Sequence, residues 1–240
     1  MLSSFKKCLH YMLQQKVSCI IPAYNEGKRI GNVLRIVDKH PLIKEIIVID
    51  DGSKDDTLSQ IKKFKGIHLI VHKKNKGKSW TMMDGIAAAK GPLVLFLDSD
   101  LIGLTKENLS RLIKPVQEGK SDISISLRKN SPWYAKIIGL DFISGERVMN
   151  KRLLYYYKDF KKLTGFGIES YMNKHIIKEK NSITVVNWDN VESPYPQAKI
   201  GRIKGTIRLL GMAIQIMKTI GWYGPIYQNI RMLRLKVKNS

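Results

Sequence analysis

Short apolar runs alternating with helical periodicity constrain this chain more than any other feature. Val17-Ser-Cys-Ile-Ile-Pro22, Glu45-Ile-Ile-Val-Ile49, Ile67-His-Leu-Ile-Val71 and Gly91-Pro-Leu-Val-Leu-Phe-Leu97 are too short for helices and nearly devoid of polarity, as strands buried on both faces are. Between them lie stretches such as Ile30, Val33, Leu34 and Val37, spaced for one face of a helix. A fifth strand is expected over Ser121–Leu127. Strands separated by helices demand a mostly parallel sheet with right-handed crossovers and helices on both faces, so the fold class is α/β. Each strand runs into polar or glycine-containing residues, and in a parallel sheet those ends collect along one edge, where such sheets bind ligands.

Asp98-Ser99-Asp100 follows the fourth strand and so falls on that edge. Two carboxylates spaced i, i+2 suit Mg²⁺ or Mn²⁺ that also grips a diphosphate, because such ions take few protein oxygens and fill their shells with phosphate and water. Asn75-Lys76-Gly77-Lys78 opens a helix, where free amides and a lysine favour phosphate. Asp50-Asp51-Gly52-Ser53 follows the second strand. Gly52 permits a tight turn, while Ser53 and Asp55 read as helix-capping residues. His10, His40, His68 and His72 show no convergent carboxylate partners in the sequence and receive no role.

Four motifs in order, Ile21-Pro-Ala-Tyr-Asn-Glu26, Val48-Ile-Asp-Asp-Gly-Ser53 with Asp56-Thr57, Asn75-x-Gly77-Lys78 and Leu97-Asp-Ser-Asp100, resemble the motif series of family 2 glycosyltransferases with the GT-A fold. The likeness covers about residues 17–128, and Ile123-Ser-Ile-Ser-Leu-Arg128 is most similar to polyprenyl-phosphate sugar synthases such as those making dolichyl-phosphate mannose or glucose. The resemblance implies a nucleotide-sugar donor, UDP- or GDP-linked, and a divalent metal. It places Pro22, Ala23, Tyr24 and Glu26 against base and ribose, Asp51 at the base edge or ribose, and Gly77 and Lys78 at the diphosphate. Asp98, Ser99 and Asp100 would hold metal and donor, with Asp100 the principal ligand. Arg128 would grip an acceptor phosphate.

Asp141-Phe-Ile-Ser-Gly-Glu-Arg147 resembles an Asp-x-x-Ser-Gly segment of the same enzymes, but its Glu-Arg pair departs from their pattern. Glu146 is thereby a candidate general base and Arg147 a candidate phosphate clamp; the plainer alternative is an ion pair within a helix. Glu169, in Thr164-Gly-Phe-Gly-Ile-Glu169, could reach sugar or acceptor or simply occupy a helix's first turn. His175 is a candidate third metal ligand by analogy with related enzymes, against the commoner fate of a lone helical histidine.

Two hundred and forty residues accommodate one large domain: a catalytic unit over 1–198, with its nucleotide-sugar half at about 17–128 and its acceptor half at 129–198, and a tail over 199–240. Forty-two Lys and Arg against twenty Asp and Glu give a net charge of +22, which calls for an anionic partner. After Glu192 there is no acidic residue, while Lys199, Arg202, Lys204, Arg208, Lys218, Arg231, Arg234, Lys236 and Lys238 are basic. Ile203, Ile207, Leu210, Ile214 and Met217 recur at helical spacing, and Ile220-Gly-Trp-Tyr-Gly-Pro225 follows with aromatics suited to an interface. This pattern is expected of a membrane-surface helix over about 202–223; the alternative is a helix packing that face on the catalytic domain. Nucleic acid is disfavoured, as no recognised binding module occurs. Cys8 and Cys19 give no disulfide framework, Met1–Lys16 lacks a signal-like apolar core, and no run approaches about 20 apolar residues. The expected setting is cytoplasmic, peripheral on the inner face of a membrane.

The expected reaction is inverting hexosyl transfer from a nucleotide sugar to a polyprenyl phosphate. A phosphate acceptor is already anionic and needs no base to attack the anomeric carbon. One rival is a soluble enzyme of the same fold, acting on a small phosphorylated or saccharide acceptor with Glu146 or Glu169 as base. The other is a non-catalytic nucleotide-sugar-binding or membrane-tethered protein, which would have no need of both Asp98 and Asp100.

Overall fold

A computed structural model describes residues 16–163 and 167–237. Cys8, His10, Thr164 and Lys238 lie outside the described residues. A seven-stranded sheet forms the centre, in the order β3-β2-β1-β4-β6-β5-β7. The strands are β1 (Val17–Ala23), β2 (Ile43–Asp50), β3 (Ile67–Val71), β4 (Leu93–Phe96), β5 (Ile123–Arg128), β6 (Arg147–Asn150) and β7 (Ile183–Trp188). Parallel pairs join β1 to β2 and β4, β2 to β3, and β5 to β7; β6 alone runs antiparallel, between β4 and β5.

The helices are α1 (Gly27–Val37), α2 (Thr57–Ile61), α3 (Lys78–Ala88), α4 (Lys106–Gln117), α5 (Trp133–Ile138), α6 (Gly167–Lys178), α7 (Pro196–Ile200), α8 (Arg202–Ile220) and α9 (Gly224–Leu233), with 3₁₀ turns at Lys151–Leu154 and Tyr157–Lys162. Burial explains the layering. Alternate residues of β1 serve opposite faces: Cys19 and Ile21 join Ile30, Leu34 and Leu112 in one core, while Ile20 joins Ile47, Met82 and Met172 in the other. The Cys19 thiol is buried, which pushes its pKa up and keeps it protonated.

The five strands expected from the sequence are all present. β6 and β7 were not foreseen, and Arg147 opens a strand rather than sitting in a helix. Residues 199–237 pack against the rest of the domain. Helices α8 and α9 pack on α6, and the chain beyond α9 bridges β7 through the Ile183 amide to the Leu235 carbonyl at 2.9 Å and the Val237 amide to the Ile183 carbonyl at 2.8 Å. Among the described residues, no helix is long and apolar enough to cross a membrane.

Candidate functional site

One edge of the sheet carries the site. β1 delivers Tyr24 and Glu26, β2 delivers Asp51, β4 delivers Asp98–Asp100 and β5 delivers Arg128. Because β6 runs the other way, pairing Arg147 with Phe96, its beginning rather than its end reaches this edge and brings Gly145 and Glu146 with it. The strand ends surround a crevice of about 400 Å³. Pro22, Ala23, Tyr24, Glu26, Asp51, Lys78, Asp98, Ser99 and Asp100 all line it, so the structure brings together nearly every residue expected at the donor, and Arg128, expected at the acceptor, lines it with them.

Charge is arranged in chains of alternating sign. Lys78 Nζ lies 3.0 Å from Asp98 Oδ1 and 2.8 Å from Glu169 Oε1. Arg128 Nη1 lies 3.2 Å from Glu146 Oε1 and 3.9 Å from Asp98 Oδ2. Burial alone would raise the Asp98 pKa, but Lys78 and Arg128 outweigh it and hold the carboxyl down to about 2. Burial opposes the Lys78 charge too, and its two carboxylates hold the ammonium protonated. Glu146 is fully buried; burial drives its pKa upward, against the pull of Arg128 and hydrogen bonds from the Ser126 and Ser144 hydroxyls at 2.7 and 2.9 Å. Gly145 is where these groups crowd the backbone. A Cβ there would stand 2.9 Å from Asp98 Oδ2 and 3.1 Å from Lys78 Nζ.

Asp51 is fixed from several sides. Its carboxylate accepts from the Lys76 and Gly77 amides at 2.9 and 2.8 Å and meets His72 Nδ1 at 2.6 Å. His72 Nε2 meets Asp84 Oδ2 at 2.8 Å, so the buried ring is clamped between two carboxylates. This corrects the reading that left His72 without a role: its partners lie 21 and 12 residues away, and only the fold unites them. Gly77 thus acts through its amide on Asp51 and does not line the crevice. Asp55 is not the cap expected: Asp56 holds the N-cap position of α2, and Asp55, one residue earlier, accepts from the Thr57 amide at 3.0 Å and ties down the Gly27 amide at 3.1 Å. Ser53 instead accepts from the Asn25 amide at 2.9 Å, joining the first loop to the second.

Gly52 holds φ at +72°, and a Cβ there would come within 2.8 Å of the Lys74 backbone. Gly52→Ala is therefore expected to cost about 1–3 kcal/mol of stability. A chemical-denaturation midpoint compared with that of the parent protein measures it.

Three expected site residues are placed differently. Arg147 is fully buried and turned away from the crevice: its guanidinium donates to the Ser144 and Phe142 carbonyls and, at 3.0 Å, to Asn173 Oδ1. It ties the loop before β6 to α6 and has no free donor face for an acceptor. Glu146 lies beneath Arg128, sealed by two serines, where no acceptor hydroxyl reaches it. His175 stacks on Tyr156, ring centroids 3.6 Å apart, and shares no cluster with Asp98 or Asp100. Among the described residues, no group of three or more His, Cys, Asp and Glu side chains is arranged to hold a metal ion.

The sequence reading missed Lys199, which was assigned to the basic tail. From α7 it reaches across the crevice to pair with both Glu26 Oε1 and Asp100 Oδ2. Asp100 also accepts from the Ser193 hydroxyl at 3.0 Å. Asn130 and Tyr195 complete one wall, with Leu209 and Met212 of α8 beside them. Asp98 and Asp100 fit a divalent cation in kind, being hard oxygen donors at a crevice mouth, and the ammonium of Lys199 between Glu26 and Asp100 shows that this spot favours positive charge.

A family model described as "Glycosyl transferase family 2" matches residues 18–180. The chain is 32% identical to a dolichol-phosphate mannosyltransferase of Pyrococcus furiosus over 145 residues, 55% of this chain and 41% of that protein. It is 33% identical to an undecaprenyl-phosphate 4-deoxy-4-formamido-L-arabinose transferase of Klebsiella pneumoniae over 131 residues, 51% of this chain and 39% of the other. The chain thus spans about half the length, or less, of these curated relatives. The fold is similar to that of a glucosyl-3-phosphoglycerate synthase of Mycobacterium tuberculosis, solved with Mn²⁺, UDP and glucosyl-3-phosphoglycerate, with a TM-score of 0.69 and 22% identity over 89% of this chain and 81% of that one.

Proposed function

Because the chain belongs to glycosyl transferase family 2, we propose that it moves a hexose, with inversion, from a UDP- or GDP-linked sugar to a polyprenyl phosphate at a membrane surface. The observation that carries this reading is the state of the crevice's charges. Every lining carboxylate is engaged: Glu26 and Asp100 by Lys199, Asp51 by His72 and two amides, and Asp98 by Lys78. The sealed Glu146 and the paired Glu169 add no free base. A hydroxyl acceptor would need one, whereas a phosphate monoester attacks as an anion and is drawn to Arg128.

In this scheme Pro22, Ala23, Tyr24, Glu26 and Asp51 hold base and ribose. Lys78 neutralises the diphosphate, and Arg128 orients the acceptor phosphate toward the anomeric carbon. Glu146 and Glu169 position Arg128 and Lys78 respectively. Asp98 and Asp100 would hold Mg²⁺ or Mn²⁺, which when bound supplies Lewis-acid stabilisation of the departing nucleoside diphosphate. The lipid acceptor is favoured over a soluble one by the tail. Ile203, Ile207, Leu210 and Ile214 face outward on α8, Ile203 at 79% exposure, and Trp222 stands 81% exposed beyond it. An apolar face left uncovered beside lysines and arginines suits an anionic membrane surface.

The test is transfer to a polyprenyl phosphate and to the matching polyprenol, across UDP- and GDP-hexoses with Mg²⁺ or Mn²⁺. Transfer to the phosphate and not the alcohol is expected; equal use of the alcohol overturns the reading. Separately, the protein is expected to sediment with anionic but not neutral vesicles, each basic residue near the surface contributing about 1 kcal/mol, and to be released by salt. Ile207→Glu with Ile214→Glu should abolish that sedimentation. Vesicle binding indifferent to both salt and these substitutions would remove the membrane from the scheme.

A further inference from the structure

A second cavity, of about 530 Å³, lies between the end of α6, the end of α8 and the start of α9. Lys174, Lys178, Lys180 and Arg231 line it, and no carboxylate does. None of these four cations takes part in an ion pair among the described residues. Nor are the lysines occupied in capping α6, because the His175, Ile176 and Ile177 carbonyls already accept from the Glu179, Asn181 and Lys180 amides. Lys174, Lys178 and Lys180 are exposed and Arg231 is half-buried, so the cavity carries four positive charges with no counter-charge in its lining, an arrangement that favours a bound anion.

Ile177, Ile220 and the ring of Tyr227 supply an apolar wall, with the Arg231 guanidinium 6.0 Å from that ring's centroid; Thr219 and Gln228, which also line the cavity, spend their donors on the Gln215 and Ser170 carbonyls. Exposed Trp222, Tyr223 and Ile226 lie in the adjoining turn and first turn of α9. A cationic floor, an apolar wall and an aromatic rim together describe a ligand with an anionic head and an apolar body. We propose that this cavity is a second binding site, distinct from the transferase crevice, for the phosphate-ester head group of an anionic membrane lipid. The choice of a lipid over free phosphate rests on the membrane-surface reading of the tail. The charge argument does not depend on that reading. Occupancy would hold α6, α8 and α9 together at the surface through one head group.

Dihexanoyl phosphatidic acid below its micelle concentration is the probe, so that bilayer insertion of α8 plays no part, with binding followed calorimetrically. It is expected to bind at least tenfold tighter than inorganic phosphate or dihexanoyl phosphatidylcholine. Lys178→Ala with Arg231→Ala, and independently Lys174→Gln, should each weaken that binding at least fivefold while leaving unchanged the affinity for whichever of UDP and GDP the parent protein binds, which also certifies their fold. Equal affinity for inorganic phosphate would overturn the lipid assignment. Unchanged phosphatidic acid affinity in the variants, or its competition by that nucleotide, would overturn the site. Because the lipid is monomeric and nucleotide binding is read separately, failure of the vesicle or transfer experiments leaves this result interpretable.

Discussion

Asp100→Asn is expected to lower sugar transfer by roughly a thousandfold, equivalent to about 4 kcal/mol of transition-state stabilisation, while the protein stays folded. Asparagine preserves size and one acceptor oxygen, so the Ser193 hydrogen bond survives, and Lys199 keeps Glu26 as a partner. What disappears is the negative charge at the crevice mouth, and with it the best oxygen donor for a divalent cation. The loss should appear in kcat at saturating donor, with a thermal midpoint within a few degrees of the parent protein. Near-normal, metal-dependent transfer by the variant would remove Asp100 from the chemistry.

Arg128→Met should have two separable effects. It strips Glu146, fully buried, of its only cationic partner within 4 Å among the described residues, and orphaning a buried charge costs about 3–5 kcal/mol of stability. It also removes the guanidinium assigned to the acceptor phosphate, so transfer should collapse while UDP affinity is kept. The double variant Arg128→Met, Glu146→Gln tells the two apart, since neutralising the carboxylate restores stability without restoring transfer. The sign of the pH dependence follows from the direction of the Glu146 shift. A carboxyl whose folded pKa is raised adds stability below its unfolded pKa and loses it as pH rises through the folded value, so the Arg128→Met deficit should shrink on acidification. Equal loss of UDP and acceptor affinity would assign Arg128 to the donor instead.

The nucleotide half was legible because its signals are local. Residues 19–22, 46–49 and 93–97 are short apolar runs whose polar ends adjoin them in sequence, so the edge of the sheet could be assembled in order. β6 was not legible: it has four residues, opens on an arginine, and takes its direction from pairing with Leu93–Phe96 and Ile123–Ile125. That reversal is also why Glu146 and Arg147, adjacent in sequence, part company, one facing Arg128 beneath the crevice and the other facing Asn173. Lys199 and His72 were missed for a related reason. Ninety-nine residues separate Lys199 from Asp100, and no periodicity or composition joins groups that meet only through the fold.

Helix α8 presents Leu209 and Met212 to the crevice and Ile203, Ile207, Leu210 and Ile214 to the outside. The same nineteen residues are therefore both a roof and an outer wall. Deleting the segment after Gly201 would unroof the crevice along with any surface anchor, so a dead truncation says nothing about which was needed. Substitutions confined to one face can resolve them. The same double duty restricts how the chain can drift over evolution: a change that retunes its grip on a surface, if it shifts the helix axis, also reshapes the crevice wall, so the two properties are constrained to vary together.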